Sequence, residues 1–291
     1  MRPHALDSSM VGTYLSCPQK FYLEYILGLK PKGEKVALTY GTLWHEVMEE
    51  WFETQSVDKC VEIIQGNIAT FSIHDQKNRT AQRMLEDFAA YILNYQAEDS
   101  RSEILALEQG FDLELPNGTR YTGRMDQVRL NKISRSRGVF DHKTTTFFTK
   151  NYFDNFELGI QLKGYIWALT QLMPTEPVDT ATLDVYHILK NETKWYRRAF
   201  TYRPALINEW VSNICHITDQ IWNLVDNHLL DPAAWFMNGG QRCSDYGGCQ
   251  FVMVHQLPPE RKNRERLLSH EFEVRRWDPI THGQDVQKPE G

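Results

Sequence analysis

Asp126, Asp141 and Lys143 stand out by type and spacing. They fall in two short runs, Gly123-Arg124-Met125-Asp126 and Asp141-His142-Lys143. The first run lies in Arg120–Leu130 and the second in Arg137–Thr144, two stretches that read as strands. The six turn-like residues Asn131–Ser136 lie between them, so the pair reads as a hairpin. With its midpoint between Ile133 and Ser134, Asp126 and Asp141 are equidistant from the turn. They then face each other, with Cβ atoms about 4.5–5.5 Å apart. Strand alternation puts Lys143 on the face of Asp141. Two adjacent carboxylates repel unless a cation sits between them. A hard divalent ion such as Mg²⁺ or Mn²⁺ suits oxygen ligands of this kind. The lysine is then free to act on whatever the metal holds. The plain alternative is a surface ion pair on a hairpin.

Other residues could join such a site. His45, in Gly41-Thr42-Leu43-Trp44-His45-Glu46, falls on a helix expected to begin at Gly41 and shares a face with Met48 and Phe52. It reads either as a satisfied core histidine or as a nitrogen ligand among oxygens. Glu108 reads either as a support near the site or as an ordinary edge carboxylate. Gln161 and Tyr165, four residues apart, share a helix face. They could contact a phosphate, hold the lysine, or simply pack as half-buried polar groups.

The elements that must position these residues follow from periodicity and turn signals. Ser8–Leu29 predicts a helix interrupted at Cys17-Pro18, and Lys30–Lys35 a loop. Gly41–Thr54, Val57–Ser72 and Thr80–Ala97 predict three further helices. Glu103–Leu115, Arg120–Leu130 and Arg137–Thr144 predict strands, the first two joined by the Asn117-Gly118 turn. Tyr152–Leu172 returns to helix, Thr180–Leu189 and Trp195–Phe200 to strand, and Pro204–Asp226 to a long helix. Asp231–Cys249 reads as irregular, and Leu257–Gly291 as polar and partly disordered at its end. The order implies an α/β core in which a mixed sheet is flanked by helices. We expect an N-terminal helical region over 1–100, a core over 101–230 and a cysteine-containing segment with a polar tail over 231–291, all in one compact domain.

Composition narrows the class. A 41% hydrophobic and 24% charged chain of 291 residues is ordinary globular protein. No apolar run reaches 18 residues, and Met1–Ser9 lacks a signal-like apolar stretch, so a cytoplasmic protein without a membrane partner is expected. The net charge of −6 argues against an overall basic coat, yet local clusters exist at Lys132, Arg135 and Arg137 and over Arg261–Arg266. Five cysteines do not suggest a disulfide framework.

Taken together, these motifs resemble the RecB-like branch of the PD-(D/E)XK nuclease superfamily. That branch includes the nuclease domains of the AddAB and RecBCD recombination machines and CRISPR-associated RecB-like exonucleases. The matching pieces, in the family's order, are Cys17-Pro18 with Phe21-Tyr22 and Tyr25; Gly41 and His45; Gly123–Asp126; Asp141–Lys143; and Gln161-Leu162 with Tyr165. The resemblance spans about Ser8 to Gln250. It implies a metal-dependent DNA nuclease, in particular an exonuclease on single strands or DNA ends, working in repair, recombination or replication. It implies that His45, Asp126 and Asp141 hold the metal, with the His142 carbonyl completing the protein share. Lys143 would be the catalytic lysine, and Gln161 and Tyr165 would complete the site. No Walker A sequence occurs, so a helicase or recombination partner would act in trans or is not needed. A different class, a non-catalytic DNA-binding or scaffolding module, remains the alternative.

The resemblance also bears on the cysteines. Many members of the branch carry a four-cysteine iron–sulfur cluster, with one cysteine before the core and three after it as C-x2-C-x5-C. Cys17 matches the first, and Cys243 and Cys249 match the x5 pair, but Gly240 stands at the remaining position. Three outcomes stay open. A 4Fe-4S cluster could draw its fourth ligand from elsewhere, with Cys60, Cys215 and His255 available. Zinc could be held by three cysteines and a histidine. The three thiols could also be unligated. Cys60 and Cys215 themselves read as buried helix cysteines.

Overall fold

The computed structural model describes residues 3–32, 36–67, 79–229, 231–244, 248–258 and 261–278. Strand β1 (Leu6–Asp7) leads into α1 (Ser8–Ser16), α2 (Pro18–Phe21), a π-helical turn at Tyr22–Ile26 and β2 (Leu29–Pro31). Three helices follow: α3 (Val36–Thr54), α4 (Val57–Gly66) and α5 (Ala81–Asp99). Next come β3 (Ser102–Glu114), β4 (Arg120–Asn131) and β5 (Arg137–Thr145), then α6 (Tyr152–Leu158) and α7 (Ile160–Leu172). Strands β6 (Val178–Ile188) and β7 (Thr193–Thr201) precede the long α8 (Pro204–His228). The chain ends in α9 (Val252–Gln256), α10 (Arg261–Glu271) and β8 (Phe272–Val274).

Local chemistry sets these boundaries. Asp7 caps α1, its carboxylate accepting the Met10 N–H at 2.7 Å. Cys17 is extended (φ −163°, ψ 107°), and Pro18 restarts the helix at a position where its missing N–H costs nothing. Ser56 and Thr80 cap α4 and α5 in the same way as Asp7. The expected single helix over Tyr152–Leu172 is two helices. Gly159 leaves helical geometry (ψ 176°), and a Cβ there would stand 2.7 Å from the Asn155 carbonyl oxygen. The polar C-terminal run carries α10 and β8, elements not expected there from the sequence. Phe272 is buried, and β8 pairs antiparallel with β2 at Leu29↔Val274. The last residues of the helix expected to reach Ser72, and the end of the polar tail, lie outside the described residues.

The chain forms two compact units that alternate in sequence. One comprises Met1–Gly33, Phe111–Gly123 and Glu209–Gly291. There β1 runs parallel to the start of β4, with Leu6 opposite Tyr121, and Trp235 stacks on Phe21 and Tyr22 at 5.8 and 5.4 Å. The other comprises Glu34–Gly110 and Arg124–Asn208. Its sheet is mixed: β3 pairs with β4, β4 with β5 antiparallel, β5 with β6 parallel, and β6 with β7 antiparallel. Helices flank it. Trp44, Val47 and Met48 of α3, with Phe88 and Tyr91 of α5, form a buried core with Tyr186 and Ile188 of β6. Helix α7 packs against β5 and β6. This is the α/β architecture the element order implies.

Candidate metal centre and active site

Every candidate residue around the hairpin belongs to the second unit. Strands β4 and β5 are paired from Leu130↔Arg137 to Gln127↔Phe140, the register expected from the turn midpoint. One step further in that register come Asp126 and Asp141. There the Asp126 carboxylate accepts the His142 backbone N–H at 2.7 Å, so the side chain continues the bonding between the strands.

Five side chains gather at this point. His45 Nδ1 lies 3.3 Å from Asp126 Oδ2. His45, Glu108 and Asp126 each offer a ligand atom within 4.8 Å of the others. Gly41 makes the approach of α3 close, since a Cβ on it would stand 2.9 Å from Thr144 Oγ1 on β5. His45 follows one turn later and faces Asp126. Lys143 Nζ pairs with Asp141 Oδ2 at 2.5 Å. Asp141 is 1% exposed, and its Oδ1 takes no hydrogen bond among the described residues. A sealed carboxylate oxygen without a donor is costly unless a cation meets it. The donor set that converges, the His45 imidazole with the Glu108 and Asp126 carboxylates, fits a divalent metal; Asp141 stands outside that group and faces Lys143. Glu108 is the member whose role the sequence leaves open. Its backbone sits at φ +46°, the left-handed region that costs a non-glycine residue energy and marks functional sites. Its carboxylate pairs with Arg124 Nη1 at 3.2 Å.

The charges respond to this crowding. Burial and then the nearby Asp126 and Glu49 carboxylates push the Glu108 carboxyl up to about 7. Burial alone would raise Asp126, but the charge and hydrogen bond of His45 reverse it and hold the carboxyl well below its usual range. For Asp141 burial outweighs the Lys143 amine, so its carboxyl is raised. Burial would lower Lys143, but the Asp141 and Asp126 carboxylates more than reverse that, so the amine stays protonated. His45 is likewise raised, the pull of Asp126 exceeding the effect of burial.

Behind this face lies a closed ring of six side chains. The His142 ring points away from Asp141 and Lys143, as alternation requires. Its Nδ1 meets Asp184 Oδ2 at 3.2 Å, and its Nε2 meets the Gln127 amide nitrogen at 2.9 Å. Arg129 Nε donates to Gln127 Oε1 at 2.6 Å, which orients that amide. Arg129 and Arg197 both donate to Asp99 Oδ1, at 2.7 and 2.8 Å. Arg197 Nε closes the ring on Asp184 Oδ1 at 3.1 Å. The Arg129 guanidinium also lies 3.7 Å from the centre of the Phe140 ring.

Gln161 Nε2 donates to Tyr165 Oη at 3.0 Å on α7, confirming their shared helix face. The remaining expected site residues, Cys17, Cys243 and Cys249, lie in the first unit and are free thiols, all half-buried. Cys17 Sγ accepts the Asn238 N–H at 3.4 Å, and Cys249 N–H donates to the Cys243 carbonyl at 2.8 Å. They do not form a group within 4.8 Å among the described residues. Tetrahedral zinc thiolates stand about 3.8 Å apart, so the thiols as placed fall short of a zinc site. A cubane cluster needs a fourth ligand, and Gly240 holds that position. Neither group fits completely. Cys60 is buried, as expected, with its thiol pushed up to about 12 by burial, whereas Cys215 is only half-buried on α8.

Comparison with known proteins points the same way. Residues 8–254 match the PD-(D/E)XK nuclease superfamily. A subunit of the ATP-dependent helicase/deoxyribonuclease of Streptococcus agalactiae is 26% identical over 183 residues, 58% of this chain and 17% of that protein. The like-named proteins of Streptococcus mutans and Streptococcus uberis are 28% and 29% identical, again over 58% of this chain and 16% of their own length. The chain thus spans about a sixth of the length of these relatives. With a match that runs from α1 through α9 and takes in the paired carboxylates, the lysine and the histidine, the chain belongs to the PD-(D/E)XK nuclease superfamily.

Proposed function

We propose that this chain is a Mg²⁺- or Mn²⁺-dependent deoxyribonuclease that hydrolyses phosphodiester bonds, acting as an exonuclease on single strands or DNA ends in repair, recombination or replication. One observation carries the reading: His45, Glu108 and Asp126 converge beside a buried Asp141–Lys143 pair that leaves one carboxylate oxygen without a donor. In this reading His45, Asp126 and Asp141 hold the metal, and Glu108 joins them. A bound divalent ion supplies Lewis-acid charge to the phosphate and to the attacking water. Lys143, held protonated by its carboxylate neighbours, places positive charge where the phosphate gains negative charge. It orients the water and stabilises charge; as a cation it is no base. Gln161 and Tyr165 steady the helix beside this strand. None of these steps needs the cysteines.

The relatives carry a helicase in their name; these 291 residues hold no Walker A sequence, so we assign any duplex opening to something outside them. We place the protein in the cytoplasm, where such a DNA substrate lies. Among the described residues no helix is long and apolar enough to cross a membrane.

The test is cleavage of end-labelled single- and double-stranded DNA with Mg²⁺, Mn²⁺ or EDTA. Products that appear only with metal, laddering from one labelled end, support the reading. Intact DNA under every metal overturns it. Metal binding is also expected to depend on pH. Glu108 must lose a proton to ligate, and so must a charged His45. Mn²⁺ affinity measured by calorimetry should therefore weaken as pH falls from 8 through about 7 to 6. A flat profile would remove Glu108 from the ligand set.

A further inference from the structure

The loop that follows Lys143 presents aromatic rings in an unusual way. Phe148 lies almost flat on Tyr196 (4.2 Å between centres, 11°), and it also stacks on Tyr152 (4.8 Å) and His187 (5.5 Å). These contacts anchor the turn between β5 and α6. The preceding residue is pinned by its backbone: Thr145 Oγ1 accepts the Phe147 N–H at 3.0 Å. Phe147 itself is left 63% exposed. A rigid support thus holds a large apolar ring in water four residues beyond the candidate catalytic lysine. From Phe148 the rings continue inward. Tyr152 lies 5.2 Å from Phe156, and Phe156 lies 6.0 Å beneath Lys143 Nζ. The row runs from an exposed corner to the amine, with exposed Lys150 in the same loop.

We propose that this loop and α6 form a base-stacking platform for single-stranded DNA, receiving unpaired bases as their phosphodiester reaches Lys143. The proposal rests on the nuclease reading above and names its substrate class. Every nucleobase offers a flat π-face, so stacking on such rings tolerates any sequence. In a duplex those faces are covered by neighbouring pairs, so only an unpaired strand can use the platform. Lys150 supplies charge for the backbone at the same place.

The test is binding of end-labelled oligo-dT by the intact chain in EDTA, read by fluorescence anisotropy, for wild type beside Phe147→Ala and Phe147→Trp. Phe147 is exposed, so neither change disturbs the core. Phe147→Ala should weaken binding about 5- to 150-fold, the range for losing one stacked base. Phe147→Trp should bind at least as well as wild type. A blunt duplex, and an abasic strand with the same phosphates, should bind both proteins equally. Equal affinity of Phe147→Ala and wild type for oligo-dT overturns the platform, as does an equal loss on the abasic strand or no wild-type binding to oligo-dT. Cleavage assays on the same preparations separate the two ideas. Metal-dependent cleavage with an indifferent Phe147 leaves the nuclease standing and removes the platform. The expected Phe147 pattern without any cleavage leaves the platform and removes the nuclease.

Discussion

Lys143→Ala and Asp141→Ala are each expected to lower DNA cleavage by at least about 10²- to 10³-fold, but only Asp141→Ala is expected to weaken metal binding. The geometry gives the reason. Asp141 is sealed in the protein with one oxygen lacking a donor, and Lys143 shares its other oxygen at 2.5 Å. Removing Asp141 takes away a negative ligand and leaves the ammonium alone beside the metal site. Two positive charges then compete for one small space, and Mn²⁺ binding should weaken. Removing Lys143 does the reverse: it deletes the competing cation and frees both oxygens of Asp141. Mn²⁺ should then bind as well as in wild type or better, yet the charge that assists phosphate cleavage is gone. Calorimetric titration with Mn²⁺ beside a gel assay reads both effects, and thermal melting confirms that each variant folds. Full cleavage by either variant would sink the assignment. If Lys143→Ala lost metal affinity as Asp141→Ala does, the lysine would act by shaping the site instead of by its charge.

Much of this site is legible in sequence because short-range rules generate it. The Asp126–Asp141 pairing follows from counting outward from one turn, and the hairpin keeps that count. Lys143 follows from alternation. His45 is harder, since a histidine beside an apolar stripe has two ordinary fates; only the close approach of α3 at Gly41 decides between them. Glu108 could not be placed, because its role depends on a left-handed backbone within a strand, which side-chain periodicity does not report. The split at Gly159 escaped notice because apolar spacing continues across it, while the break lies in the backbone. The short β1 and β8 carry too few residues to show a period. The ring behind the site escaped entirely. Its members come from one helix and four strands, so no local pattern joins Asp99 to Gln127, His142 and Asp184.

That ring supports the second large prediction. Arg197→Ala should lower stability by about 3–5 kcal/mol in urea titration, because it leaves Asp184 buried without its guanidinium and Asp99 with Arg129 alone. Arg197→Lys should recover little of this, since one ammonium cannot serve Asp184, Asp99 and the Tyr91 hydroxyl together. The acid side gives an independent reading. Burial would raise the Asp184 carboxyl, but the hydrogen bond from His142 and the charge of Arg197 bring it down to about 2. A carboxyl held below its unfolded value stabilises the fold above that value and loses the contribution as pH falls. Against an unfolded value near 3.9, Asp184 stabilises the fold at neutral pH, and that contribution is lost between about pH 5 and pH 2. Asp184→Asn should flatten the stability profile over that interval. A profile as steep as wild type would mean that Asp184 does not carry the acid sensitivity. Combining Asp184→Leu with Arg197→Met should cost clearly less than the two changes summed, because the second removes a charge the first has already stranded. The consequence reaches the other face of the strand. The His142 ring is a member of this loop, while its backbone N–H holds Asp126 at 2.7 Å. A single residue thus ties the buried ion network to the carboxylate that faces the metal site.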